Sequence, residues 1–156
     1  MPKAVLRTDG GARGNPGPAG AGFVLHGEDG TLLSSGGRFL GEATNNIAEY
    51  EALIWGLETA LDLGIDSVTV LCDSELVVRQ VNGVYKVKHA NMKPLFLRAL
   101  EHLRRFASFD VRHIPRAENT AADELVNEAI DARGHVGHVG PASSPEPRAR
   151  QDTLFG

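Results

Sequence analysis

"NNIAEYEALIWGLETALD" (residues 45–62) has the periodicity of an amphipathic helix with one residue on the wrong side. Turned at 100° per residue, Glu51, Glu58 and Asp62 fall within about 40° of one another and form an ordinary solvated face. Glu49 lies opposite, in the arc that holds Ala52, Leu53, Gly56, Leu57 and Ala60. A carboxylate in that arc is either a partly exposed flank residue or a group whose charge is wanted inside.

Working outward, "KAVLRT" (3–8) reads as a strand, and "GNPGPAGAG" (14–22) is dense in turn residues. "AGFVLH" (21–26) and "TLLSSGGRFL" (31–40) read as two strands of a meander joined by a "GEDG" turn. Beyond the helix come a strand, "SVTVLC" (67–72), a short helix, "SELVVRQVNG" (74–83), and a longer one, "NMKPLFLRALEHLRRFA" (91–107). A strand, "FDVRHI" (109–114), and a last helix, "NTAADELVNEAIDA" (119–132), complete the pattern. The order β-β-β-α-β-α-α-β-α predicts an α/β fold: one mixed five-stranded sheet with helices on both faces. After Arg133 the chain turns to "GHVGHVGPASSPEPRAR", too rich in Gly, Pro and Ser to repay its own ordering. The expected organisation is a folded domain over 1–133 and a disordered linker with a terminal peptide over 134–156.

With 156 residues, 42% of them hydrophobic, the chain is expected to form one domain with a real core. No apolar run approaches the roughly 18 residues of a membrane span, and the N-terminus lacks a secretory apolar region. One cysteine, Cys72, excludes an internal disulfide; a buried strand residue in a reducing cytoplasm is the expectation. The net charge of -4 disfavours a polyanionic partner, but its distribution does not. Eight acids and no Lys or Arg lie between Arg38 and Arg79, whereas Arg79 to Arg105 holds seven basic residues and one acid. Such separation either sets an acidic site beside a basic patch or merely marks solvated helix faces.

Three further acids make Glu49 less odd. Asp9 follows the first strand, Asp73 follows the strand 67–72, and Asp123 shares its side of the last helix with Ala122, Val126 and Ala129. Singly, Asp9 can open a turn, Asp73 can cap the helix that begins at Ser74, and Asp123 can be a flank residue. Jointly, with the two strands adjacent, the acids converge. Two carboxylates ~4 Å apart repel by about 1 kcal/mol in water and about 4 kcal/mol at a protein-surface dielectric, so such a cluster needs positive charge. Two divalent cations match four negative charges. Oxygen ligands without a His or Cys cluster point to Mg²⁺, with Mn²⁺ as a substitute. Two such ions activate a water and stabilise the leaving oxygen of a phosphoryl displacement.

"TDGGARGNPGPAGAG", "TNNIAEYEAL", "CDSELVV" and "HIPRAENTAADELVNEA" together resemble the ribonuclease H type I family over residues 3 to about 132. The resemblance implies hydrolysis of the RNA strand of RNA–DNA hybrids, leaving 3'-hydroxyl and 5'-phosphate ends. It maps the family's four metal-binding carboxylates onto Asp9, Glu49, Asp73 and Asp123. It also implies that Gly10, Gly11, Asn15, Asn45 and Ser74 meet the substrate, part of that contact reading the RNA 2'-hydroxyls. For the residue that assists catalysis there are two candidates. Spacing from Asp123 lands on His113, in a strand; "HIPRAEN" looks like the archaeal-type branch, in which Arg116 has the supporting role and is favoured. Only "VYKVKHA" lies between Gly83 and Asn91, too short for the basic protrusion of the longer bacterial enzymes. Lys86, Lys88 and Lys93 are then left to hold the substrate, in a salt-sensitive way.

The chain ends "QDTLFG". Gln151, Leu154 and Phe155 match the Q-x-x-L-F pattern by which bacterial replication proteins dock on the sliding clamp, so a clamp is a candidate partner beside the hybrid. "GHVGHVG" is read as linker rather than metal site. A monomer is expected. Two competing readings are a non-catalytic hybrid-binding module on the same fold and another nuclease of the superfamily, such as a junction resolvase.

Overall fold

The computed structural model describes residues 2–139. A meander of β1 (Lys3–Ala12), β2 (Gly17–Gly27) and β3 (Leu32–Ala43) leads into α1 (Asn45–Asp62), which Thr44 caps by accepting from the Ile47 N–H. There follow β4 (Ser67–Cys72), α2 (Glu75–Val81), α3 (Lys93–Leu103), β5 (Ser108–His113), a 3-10 turn (Arg116–Glu118), α4 (Thr120–Ala132) and β6 (Val136–Val139). The sheet order is β5-β4-β1-β2-β3-β6. β1 pairs antiparallel with β2 and parallel with β4, and β4 is parallel to β5. The sheet is therefore mixed, with six strands where five are expected.

The sixth strand is a correction with a clear cause. Val136–Val139 pairs antiparallel with Ser34–Gly37, although the surrounding "GHVGHVG" suggests a linker. Composition misleads because β3 would otherwise present an open edge, and the "VGHV" backbone fills it. The sheet thus continues beyond the boundary drawn at Arg133. β2 also starts earlier than its sequence suggests: the turn-like "GPAGAG" lies within a strand, and Ala19 and Ala21 are buried there.

α1 and α4 cover opposite faces of the sheet. The adjacent Gly36 and Gly37 point to opposite sides of β3. A Cβ on the first would meet Trp55 of α1, and one on the second would meet the Leu125 carbonyl of α4. The main core lies beneath α1, where Leu6, Phe23, Leu25, Leu53, Leu57 and Val70 are almost fully buried. Residues 140–156, with Gln151, Leu154 and Phe155, lie outside the described residues.

Candidate active site

The pairing of β1 with β4 ends at Thr8 and Cys72, so Asp9 and Asp73 are the next residues along neighbouring parallel strands. Asp9 itself remains within β1, opposite Gly22, rather than following the strand. α1 crosses this end of the sheet closely. A Cβ at position 10 would collide with the Ala48 carbonyl and the Glu49 nitrogen, so only glycine admits the helix there. That approach delivers Glu49: carboxylate oxygens of Asp9, Glu49 and Asp73 all lie within 4.8 Å of one another. Asp123, in the first turn of α4, hydrogen-bonds Asp9 and completes the group.

Asp9 and Glu49 are only 6% and 7% exposed. Burial, followed by the Asp73 charge and the Asp123 hydrogen bond, pushes the Asp9 carboxyl up to about 8; Arg116 opposes this. Glu49 is also raised well above its ordinary value, by burial and then by Asp9 and Asp73. The Gly10 N–H and the Arg116 charge pull it back. Beneath the cluster, the Cys72 thiol sits 3.9 Å from Glu49 Oε1, and burial pushes its ionisation up, so it is packing rather than a nucleophile.

The four carboxylates open into a cleft of about 510 Å³ that Gly10, Gly11, Asn45, Ser74 and Arg116 also line. Asn45 orders the rim: its Oδ1 accepts from the Ala12 N–H at 2.8 Å, and its own N–H donates to Asn15 Oδ1 at 2.9 Å. Ser74 caps α2, accepting from Val77 N at 3.2 Å.

A family model described as reverse transcriptase-like matches residues 7–129. A bifunctional protein of Mycobacterium tuberculosis is 47% identical over 83% of this chain, which spans 36% of that protein's length. The crystal structure of RNase H1 from the archaeon Halobacterium salinarum superposes with a TM-score of 0.81 at 43% identity, covering 83% of this chain and 98% of that one. The chain belongs to the ribonuclease H family. A third relative, the LC11 RNase H1 solved in complex with an RNA/DNA hybrid, has a TM-score of 0.78 at 48% identity over 83% of this chain and 98% of its own.

Against this family background, the residues expected from sequence divide into groups. The four acids come together. Arg116 lines the cleft and acts electrostatically on Asp9 and Glu49; His113 ends β5, is exposed, and does not line it. Lys86 and Lys88 do not reach the acidic cleft either. They line a separate groove of about 530 Å³ with Asn46, Val84 and Tyr85, and Asn46 follows Asn45 at the start of α1.

Two further residues at the cleft escape the sequence reading. Asn119, fully buried, donates from Nδ2 to the Thr8 carbonyl at 2.8 Å and to Asp73 Oδ2 at 3.2 Å. It stands at the N-cap of α4 but makes no side-chain capping bond, tying α4 to β1 and to Asp73 instead. Its position before a helix signals only a cap. Arg13, on the β1–β2 turn, also lines the cleft. A lone arginine among turn glycines gives no signal at all.

Proposed function

We propose that this chain is an endoribonuclease that hydrolyses the RNA strand of RNA–DNA hybrids, leaving 3'-hydroxyl and 5'-phosphate ends. The observation that carries the reading is the convergence of Asp9, Glu49, Asp73 and Asp123, two of them buried, in an open cleft. Membership of the ribonuclease H family and the hybrid bound by the LC11 relative support it. The donor set is all oxygen and gathers like charges that cations would balance, which fits two Mg²⁺, with Mn²⁺ as a substitute. Such ions supply an activated water and charge stabilisation for the leaving 3'-oxygen.

The chain's own residues do the rest. Asp9, Glu49, Asp73 and Asp123 would hold the cations, and Gly10 and Asn119 hold Glu49 and Asp73 where they must stand. Arg116, exposed at the cleft wall, neutralises charge beside the reacting phosphate and takes the assisting role in preference to His113. The rim of Gly11, Asn15, Asn45 and Ser74 is suited to reading 2'-hydroxyls with backbone and amide groups. Lys86 and Lys88, in the neighbouring groove, take phosphates of the hybrid beyond the cleft.

The single buried cysteine accords with a cytoplasmic enzyme, and among the described residues no helix is long and apolar enough to cross a membrane. The folded unit of this reading runs to Val139, and the remaining chain ends in a docking peptide. There Gln151, Leu154 and Phe155 would tether the enzyme to a sliding clamp and raise its effective concentration at DNA to about millimolar. The deciding experiment is a gel assay on a labelled hybrid, an RNA duplex and a DNA duplex, each with and without Mg²⁺. Metal-dependent cleavage of the hybrid's RNA strand is expected; equal cleavage of the DNA duplex would refute the assignment. For the tail, calorimetry with the host clamp is expected to show binding that Leu154→Ala with Phe155→Ala eliminates.

A further inference from the structure

Arg13 has no part in the machinery described so far, yet its surroundings are specific. From the β1–β2 turn its guanidinium reaches α4, where Nη1 donates to Asp131 Oδ1 at 2.7 Å and Nη2 to Asn127 Oδ1 at 3.1 Å. The pair is exposed, 47% for the Arg13 side chain and 68% for Asp131. An ion pair so exposed adds little to stability, so a staple between turn and helix is a weak use of a planar five-donor cation. Among the described residues, Arg13 and Arg116 are the only Arg or Lys that line the cleft, against its four carboxylates.

α4 supplies a ruler. Asp123, Asn127 and Asp131 recur every four residues and run along one side of the helix. At a rise of about 1.5 Å per residue, Asp131 stands about 12 Å along the axis from Asp123. Arg13, bonded to Asp131, marks the far end of the same cleft. A nucleic-acid strand advances about 3.4 Å per nucleotide along its axis and further along its winding backbone, so this length spans about two or three phosphates.

We propose that Arg13 is a phosphate contact for the cleaved strand, gripping it two or three nucleotides from the bond that breaks. This rests on the hybrid-nuclease reading above. Asp131 and Asn127 keep the guanidinium extended until a phosphate replaces Asp131, a bidentate exchange that suits arginine better than lysine. Asn127 fixes the spacing, because its Nδ2 also donates to the Asp123 carbonyl at 3.0 Å, one turn back towards the carboxylates. The strand is the cleaved one because the cleft that holds Arg13 is the cleft that holds the carboxylates.

Three variants test this: Arg13→Ala, Arg13→Lys and Asp131→Ala, each checked for an unchanged melting temperature. Hybrid affinity is read by fluorescence anisotropy in chelator across a salt series, and KM and kcat are read with Mg²⁺. Arg13→Ala is expected to raise KM about fivefold with little change in kcat, and to reduce the slope of log affinity against log salt by about one. Arg13→Lys recovers the slope but only part of the affinity. Asp131→Ala releases the arginine and leaves KM unchanged or lower. Trimming the RNA from one end, to a single nucleotide beyond the cleavage point, abolishes the difference between wild type and Arg13→Ala. The proposal is overturned if Arg13→Ala and Asp131→Ala weaken binding alike, as a staple would, or if the salt slope does not move. The affinity arm needs no turnover, so it judges Arg13 even should the wild-type chain cleave nothing, a result that would sink the nuclease reading by itself.

Discussion

Helix α1 meets strand β1 twice, and the two contacts are built in opposite senses. Early in the strand the fully buried Leu6 supplies the bulk and the helix gives way: a Cβ on Gly56 would come within 2.8 Å of Leu6 Cδ1. Further along, the strand gives way at Gly10 and the helix backbone of Ala48 and Glu49 takes the space. The first contact buries aliphatic surface, each leucine contributing about 2–3 kcal/mol. The second buries a carboxylate beside another, which is unfavourable without a cation. One helix and one strand thus carry both a stabilising contact and a destabilising one, the apolar contact holding the acidic one in place.

The largest effect should separate the two contacts outright. Asp9→Asn or Asp73→Asn is expected to cut single-turnover hybrid cleavage by about a thousandfold or more, about 4 kcal/mol of barrier. In chelator Asp9→Asn should melt higher than wild type, by about 3–8 °C, because a repelling buried carboxyl is gone. A lower melting temperature would mean that the acidic end is not a source of strain.

Exchanging the glycines sharpens the same contrast. Gly10→Ala sets a Cβ against helix backbone that cannot rotate away, and should cost about 2–4 kcal/mol while weakening metal binding through Glu49. Gly56→Ala presses only on the end of a leucine side chain and gains about 1 kcal/mol of helix propensity. Its net cost in urea melts should therefore be near zero, with cleavage retained. Equal losses at both positions would erase the distinction.

The acidic end should also show in the pH dependence of the metal-free protein. Asp9 holds its proton to about pH 8 when folded but releases it near 3.8 when unfolded. Between those values the native state binds the extra proton, so stability falls as pH rises through this window. A loss on the order of 2 kcal/mol from pH 5 to pH 8 is expected, reversed by millimolar Mg²⁺ and absent from Asp9→Asn. Smallest of all is the choice of assisting residue: Arg116→Ala should slow single turnovers about tenfold, about 1.4 kcal/mol, and His113→Ala hardly at all. The reverse ranking would move that role to the end of β5.

α1 was legible in the sequence from Asn45 to Asp62, because its apolar residues recur at helical spacing and Glu49 stands out among them. The other three acids were legible because they stood at strand ends or on a helix face, beside motifs with a known order. Arg13 and Asn119 were not, since each acts through partners more than a hundred residues away, Asp131 and Thr8 respectively. Local pattern holds no trace of such pairs. β6 stayed hidden for a related reason. Its two valines are separated by Gly137 and His138 in a run too short to read as a strand, and what orders them is an edge of β3 that exists only once the sheet is built.

The carboxylates come from β1, α1, the end of β4 and α4, so five strands and three helices precede the last of them, Asp123. A copy interrupted before α4 therefore carries three of the four acids at most, and they cannot assemble before the parallel β1–β4 pair closes over the intervening helix. A complete set of acids is in this way withheld from every copy cut short before α4. On the proposed nuclease reading, late completion of the site is a safeguard during synthesis, written into the order in which the elements leave the ribosome.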